Sequence, residues 1–531
     1  MNLVTLLRER ADSHPARPAL IDRAKGRDRA VTFRELFQRV ERGSARLHEL
    51  GLKRGNTVLV FQPVSIELYE ILLSAFHSGI RVMLADPAEG KEFLTQCCAR
   101  LPPDAFFGPR RAHLLRWFSS ALRNIPVSIR SGGWFPGAAA WHVEINGRPP
   151  AAVPSHEPAL ITFTSGSTGA PKAAVRTHGF LLAQHKTLSA ALDLEDGEVD
   201  LVTLPVFVLA NLASGLTSVL AQSCLKSPGH ADPAAICVHC ARHGVTRCAA
   251  SPAFFEVLLE MGDALHFLRK VYTGGAPVFP DLLERLQTAS PDCSVCAVFG
   301  STEAEPMTHL HAAEYDAAMM AKTAAGHGLC AGRPVPEIDL RILRDHWGEP
   351  LNALDSATFK AMLAPRNQPG EVVVSGDHVL SGYLDGIGDD ETKINVEGTV
   401  WHRTGDAGWL DQAGRLWLLG RCSAKLPSTP VSPPGLPTGA LDYPFAIESA
   451  LRIRQPSVRT AALGWKGRRT LVVESSHQSS RSMPSREERA ELCIEEVIRV
   501  KALPMDRRHH AKIDYTALHA LLESMTNRTR L

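Results

Sequence analysis

Apolar positions along the chain alternate between two periods. Leu36, Val40, Leu47 and Leu50 recur at helical spacing after Val31-Thr32-Phe33-Arg34-Glu35, which sets them on one face of an α-helix. Thr32 with Glu35 three positions later is a helix start signal, each side chain able to satisfy the other's backbone amide. Gly51 and Gly55 end that helix, and Thr57-Val58-Leu59-Val60-Phe61 reads as a buried strand. Ile66 to Phe76 predicts a second helix, followed by a strand at Arg81-Val82-Met83-Leu84 that stops at Asp86-Pro87. This strand–helix–strand rhythm predicts an α/β fold with a mostly parallel sheet covered by helices. From Arg110 to Pro150 the pattern lapses around Gly132, Gly133, Pro136 and Gly137, and a loop or insertion is expected there.

Several apolar runs end in short glycine-rich or hydroxyl-rich loops. Ile161-Thr162-Phe163-Thr164-Ser165-Gly166-Ser167-Thr168-Gly169-Ala170-Pro171-Lys172 carries a β-branched run into a hairpin closed by proline and lysine. Glycines let backbone approach a ligand, hydroxyls and N–H groups can surround an anion, and Lys172 adds a point charge. The composition also suits a surface loop. It is not the common nucleotide P-loop, because Pro171 precedes the lysine where that motif needs Gly and Ala173 follows where it needs Ser or Thr. Nor is it a hydrolase nucleophile elbow, since Gly166 sits one residue before Ser167 rather than two. Leu268-Arg269-Lys270-Val271-Tyr272 similarly runs into Thr273-Gly274-Gly275-Ala276-Pro277, where a flat base could lie against bare backbone. Trp401 to Trp409 and Gly414 to Arg421 read as a hairpin turning at Asp411-Gln412-Ala413-Gly414.

Length and charge narrow the classes. At 531 residues the chain exceeds what one core supports, so two or more domains are expected. A net charge of +2 gives no electrostatic case for nucleic acid or an anionic membrane. Leu201 to Leu225 carries no charge and is long enough to cross a bilayer. Its Pro205, Asn211 and Gly215 suit a buried strand–turn–helix better, so no membrane span is predicted. Arg8, Glu9 and Arg10 interrupt the N-terminal apolar residues; no signal peptide and a cytoplasmic location are expected. Among the 11 cysteines, Cys237/Cys240 and Cys293/Cys296 have metal-like spacing, but they lie on helix-like and strand-like runs. Zinc sites of that spacing sit on knuckle turns, so core thiols are predicted.

The string Thr-Ser-Gly-Ser-Thr-Gly-x-Pro-Lys resembles the signature of the adenylate-forming enzymes, the superfamily of acyl-CoA synthetases, luciferases and peptide-synthetase adenylation domains. Ala173 departs from it, because the family usually has Gly there. The resemblance implies that Thr164, Ser165, Gly166, Ser167, Thr168, Gly169 and Lys172 hold phosphate, and that Gly274, Gly275, Ala276 and Pro277 line adenine. Val298-Phe299-Gly300-Ser301-Thr302-Glu303 is similar to the family's Tyr-Gly-x-Thr-Glu motif. It implies adenine stacking on Phe299 beside Gly300 and Ser301, α-phosphate on Thr302 and Mg²⁺ on Glu303. Asp406 matches the ribose-binding carboxylate, Arg421 the arginine near the hinge, and Lys512-Ile513 the catalytic lysine context. Phe207, Asn211 and Gly275 are expected at the substrate wall.

The implied architecture is a large N-terminal domain (residues 1–420) of parallel-rich sheets flanked by helices plus a small β-domain, with a small mobile α+β lid (421–531). The implied activity is ATP- and Mg²⁺-dependent conversion of a carboxylic acid, fatty or β-hydroxy fatty, to an acyl-adenylate. Beyond Arg421 the family's glycine loop is replaced by a proline-rich stretch from Leu426 to Pro437, stiff and poor in donors. Ser475 to Arg486 is Ser-rich and predicted mobile. The ending Arg507-Arg508-His509-His510-Ala511-Lys512-Ile513 is similar to the β-lactone synthetases of bacterial olefin biosynthesis, in which the substrate's own hydroxyl displaces AMP. A fatty acyl-CoA or acyl-carrier-protein ligase is the alternative, which leaves coenzyme A and a carrier or pathway partner open. A nucleotide-binding protein without catalysis is a third reading, opposed by the joint presence of Lys172, Glu303, Asp406 and Lys512.

Overall fold

Alternating helices and strands assemble into three sheets in a computed structural model. It describes residues 2–149, 151–165, 171–221, 229, 232–351, 353–428, 433–456, 458–474, 483–505 and 513–528. The predicted capping box is present: Thr32 Oγ1 accepts from the Glu35 amide at 3.2 Å, and the Glu35 carboxylate accepts from the Thr32 amide at 2.9 Å. The helix it starts, Phe33–Glu49, buries Phe33, Leu36, Val40 and Leu47 and packs on helix Ile66–Ser78. Each such side chain contributes about 1.5–3 kcal/mol of burial.

Strands Thr57–Val60, Arg81–Leu84, Ala105–Gly108 and Pro158–Ser165 run parallel in a seven-stranded sheet. Antiparallel strand Pro171–Thr177 closes its edge. The stretch after Arg110, expected as a loop, instead forms helices Arg110–Phe118 and Ser120–Arg123 and adds strand Val127–Arg130 to that sheet. A four-residue strand is too short to show a period, and the Gly/Pro cluster follows it rather than replacing it.

Among the described residues the large sheet has fifteen strands. Val199–Val202, Thr217–Leu220, Arg247–Ala250, Lys270–Gly274 and Ser294–Ser301 are mutually parallel. Direction then reverses at each pairing through Ala304–His311, Leu329–Pro334, Leu416–Arg421 and Thr399–Leu410. Two residues separate Ser301 from Ala304, a connection that permits only a hairpin. The Gly370–Ser375 strand pairs with Thr399–Leu410, so the β-rich part is continuous with the parallel half. A three-stranded sheet of Thr460–Trp465, Arg468–Glu474 and Glu496–Val500 follows, with helix Tyr515–Arg528 near the C-terminus.

The uncharged stretch from Leu201 enters helix Phe207–Ser214 and strand Thr217–Leu220. Among the described residues no helix is long and apolar enough to cross a membrane. Cys240 and Cys293 join the main hydrophobic core, Cys237 packs against it, and Cys296 belongs to a neighbouring cluster. Residues 475–482 of the predicted mobile stretch lie outside the described residues, whereas Ser485 caps helix Arg486–Glu491.

Candidate active site

Successive side chains of a strand point to opposite faces, so Lys172, Ala174 and Arg176 share one face of Pro171–Thr177. Arg176 donates to Thr162 Oγ1 at 2.7 Å and to the Thr302 carbonyl at 2.9 Å. It therefore ties the hairpin rim to the turn that carries Thr302 and Glu303. Lys172 lies opposite Thr164 in register, and its ammonium pairs with Glu391 at 2.7 Å. Gly166, Ser167, Thr168 and Gly169 lie outside the described residues, as does the side chain of Ser165.

A short segment bridges the two larger sheets: Val379 bridges Ala304 and Tyr383 bridges Ala174. The Leu380 amide donates to the Glu303 carbonyl at 2.7 Å, and the Tyr383 hydroxyl donates to Glu303 Oε1 at 2.8 Å. Behind them Lys393 donates to the Leu380 carbonyl, and its ammonium lies 3.2 Å from His402 Nδ1 and 5.6 Å from the Tyr383 ring centroid. Burial alone would raise Glu303, but nearby His402, the Tyr383 hydrogen bond and Lys393 hold it below the usual carboxylate range. Burial and the Lys393 charge push His402 itself down to about 3. Burial lowers Lys393 to about 8, with Glu303 opposing the shift.

Glu305, two residues along, contrasts with this. Burial pushes it up to about 7, the Arg176 guanidinium pulling the other way. Its chain packs against the Phe299-Gly300-Ser301 end of strand Ser294–Ser301. A Cβ on Gly300 would stand 3.1 Å from the Ala304 carbonyl oxygen and 3.3 Å from Glu305 Cα and Cγ. Ser301 Oγ accepts from the Glu303 amide at 3.3 Å, Phe299 is half-buried and Thr302 is exposed.

At the end of the neighbouring parallel strand, a Cβ on Gly274 would lie 2.3 Å from the Val298 carbonyl oxygen, so only glycine fits. Gly275 follows at φ +78°, a left-handed conformation that glycine adopts without strain. Gly275 is exposed, and Ala276 and Pro277 are half-buried.

Asp406 stands opposite Arg421 in the predicted hairpin, and they pair at 2.8 Å. The strand is braced from inside. Glu371 and Arg403, each with 1% of the side chain exposed, pair at 2.7 Å. Glu371 also accepts from the Gly405 amide at 3.1 Å, and Arg403 donates to the carbonyls of Glu349 and His346. Removing one member of such a buried pair costs about 3–5 kcal/mol. Glu303 contributes to the raised pKa of Arg421, after burial, which lowers it, and after Asp406. The hairpin is thus electrically within reach of the Glu303 cluster.

Phe207 packs with Ala249, Tyr272 and Cys296. Asn211 is buried and donates to Asp200 Oδ2 at 2.7 Å and Ser218 Oγ at 3.1 Å, so its amide braces two strands. Lys512 lies outside the described residues; Ile513 just after it bridges Met505. The sequence reading missed Arg176, Tyr383, Lys393, His402 and Glu305 as site residues. Arg176 alone had a local signal, its period-two spacing from Lys172.

The profile of the AMP-binding enzyme family matches residues 7–384. An olefin beta-lactone synthetase of Stenotrophomonas maltophilia is 33% identical over 440 residues, 79% of this chain and 78% of that protein. A protein of the same description from Xanthomonas campestris pv. campestris is 31% identical over 520 residues, 92% of this chain and 90% of its own. Among solved structures, ATP-bound MatB from Rhodopseudomonas palustris superposes with a TM-score of 0.75 at 18% identity, covering 99% of this chain and all of that one (100%). At that identity the likeness is one of fold.

Proposed function

The chain belongs to the AMP-binding enzyme family, and from that premise we propose that it activates a β-hydroxy acid with ATP and then closes it to a β-lactone. The similarity over most of the chain to two proteins described as olefin beta-lactone synthetases carries this reading. In the first step a substrate carboxylate oxygen attacks the α-phosphorus of ATP. An O–P bond forms, the bond to pyrophosphate breaks, and acyl-adenylate results. Two anions must meet, so the site has to orient them and offset their charge.

Lys172, the Thr302 hydroxyl, the cradle at 164–169 and Lys512 are the groups assigned to phosphate. Lys172 has to exchange Glu391 for phosphate. Gly274 to Pro277 with Phe299 are assigned to adenine, and Asp406 with Arg421 to ribose. Glu303, an ionised carboxylate kept below its usual pKa, has the hardness that Mg²⁺ requires. When bound, that ion would neutralise phosphate charge. Residues 421–531 are read as the lid that brings Lys512 to the site.

In the second step the substrate's C3 hydroxyl oxygen attacks the acyl carbon, the acyl–oxygen bond to AMP breaks, and AMP leaves with the electron pair. The hydroxyl proton needs a base. Glu305, at about 7, has the basicity suited to that task at neutral pH. The nucleophile and the acyl carbon belong to one molecule, so the site has only to hold them in attacking geometry, and no external thiol is required. Mass spectrometry of products from ATP, Mg²⁺ and a panel of β-hydroxy and plain fatty acids tests the reading. The expected product is the β-hydroxy acid less one water. Acyl-CoA as the sole product, formed from both kinds of acid, would replace this reading with a CoA ligase.

A further inference from the structure

A second cluster of ligand-type side chains joins the N-terminal hairpin to a helix about 200 positions later. Strands Pro18–Ala24 and Arg27–Thr32 pair at one end of the large sheet, with Asp28 on the outermost strand opposite Arg23. Against it lies helix Pro233–His243, on which His239 and His243 are four residues apart. That spacing puts both rings on one helical face, with centroids 4.7 Å apart. His243 Nε2 is 3.0 Å from Asp28 Oδ2. One ligand atom each from Asp28, His239 and His243 lies within 4.8 Å of the other two. His239 Nδ1 and Asp28 Oδ1 are buried and have no hydrogen-bond partner among the described residues. A buried ring nitrogen left without a partner carries a desolvation penalty that a bound ion would relieve, and Asp28 Oδ1 has only the Arg23 guanidinium, 3.9 Å away.

We propose that Asp28, His239 and His243 form a site for a divalent transition metal, Zn²⁺ by ligand type, which staples the hairpin to the helix. Two imidazole nitrogens and a carboxylate oxygen, with water in the fourth position, are a donor set that tetrahedral Zn²⁺ accepts. Ca²⁺ and Mg²⁺ prefer oxygen donors throughout. Arg242 Nη1 donates to Asp28 Oδ2 at 2.9 Å and Arg23 Nε lies 3.9 Å from Oδ1. Both arginine side chains are about half exposed (53%), so either can turn outward or remain as an outer partner that orients the carboxylate. The metal-like spacing in this helix therefore belongs to the histidines. Cys240 of the Cys237/Cys240 pair is turned into the core.

The test uses the full chain, stripped with a chelator and titrated with Co²⁺, then Zn²⁺. One equivalent of Co²⁺ should produce a visible d–d absorption band that Zn²⁺ abolishes, and Zn²⁺ should raise Tm. The combined His239→Asn and His243→Asn variant should bind Co²⁺ at least about tenfold more weakly, with pyrophosphate release unchanged. Circular dichroism reports whether that variant folds, and Asp28→Asn provides a second probe that leaves the helix intact. No saturable band in the wild-type chain would overturn the site, as would equal Co²⁺ affinity in the wild type and the folded variants.

Discussion

Glu303 and Glu305 are two residues apart, and both are half-buried, yet their surroundings drive them in opposite directions. Glu303 accepts from Tyr383 at 2.8 Å in the field of Lys393, and its pKa lies below the usual carboxylate range. Glu305 feels the Arg176 guanidinium only at longer range, that group being committed to Thr162 and the Thr302 carbonyl, and burial raises it to about 7. Burial acts on both, so the partners decide the difference. Carboxylates pushed apart in this way can divide their roles: Glu303 supplies a fixed negative charge, and Glu305 can exchange a proton near neutrality.

Four substitutions probe that division. Glu303→Gln keeps the shape and loses the charge, and pyrophosphate release should fall about 10²–10³-fold, with a higher Mg²⁺ requirement in a titration. Glu305→Gln should slow lactone closure about 10²-fold while a rapid-quench assay still records the pyrophosphate burst. In the wild type, closure should accelerate as pH rises through about 7, where Glu305 loses its proton; the variant should be flat there. The same shift bears on stability. Folding raises Glu305 above its ordinary 4.5, so its contribution is full below that pH and is lost as pH climbs through about 7. Denaturant titrations should show Glu305→Gln removing this dependence.

Tyr383→Phe is expected to have a smaller effect. Loss of the hydroxyl should lift the Glu303 pKa, and a one-unit shift corresponds to about 1.4 kcal/mol. The acid limb of the pyrophosphate-release profile should move upward. Glu391→Gln should act least. Its pair with Lys172 is half exposed on the glutamate side (49%), and such pairs are worth about 1 kcal/mol or less. Freeing Lys172 should improve apparent ATP affinity by up to about fivefold in equilibrium binding.

Local chemistry made half of this site legible in the sequence. Thr32 and Glu35 announced a helix because a capping box is complete within four residues. Gly274 and Gly275 marked a strand end where a side chain would strike Val298, and the hairpin through Asp406 and Arg421 announced its own turn. What stayed hidden depends on contacts between remote segments. Tyr383 and Glu303 are 80 positions apart, and Arg176 and Thr302 are 126 apart. No period or turn signal encodes such pairs. The helices after Arg110 were missed for another reason: their elements are too short for a pattern to accumulate.

Whether the substrate's own hydroxyl opens the acyl-adenylate is read most directly from AMP release. With ATP and Mg²⁺ and no coenzyme A, a β-hydroxy acid should release AMP continuously, whereas a plain fatty acid of equal length should stop after one burst of pyrophosphate. AMP release from both acids only when coenzyme A is supplied would contradict opening by the hydroxyl.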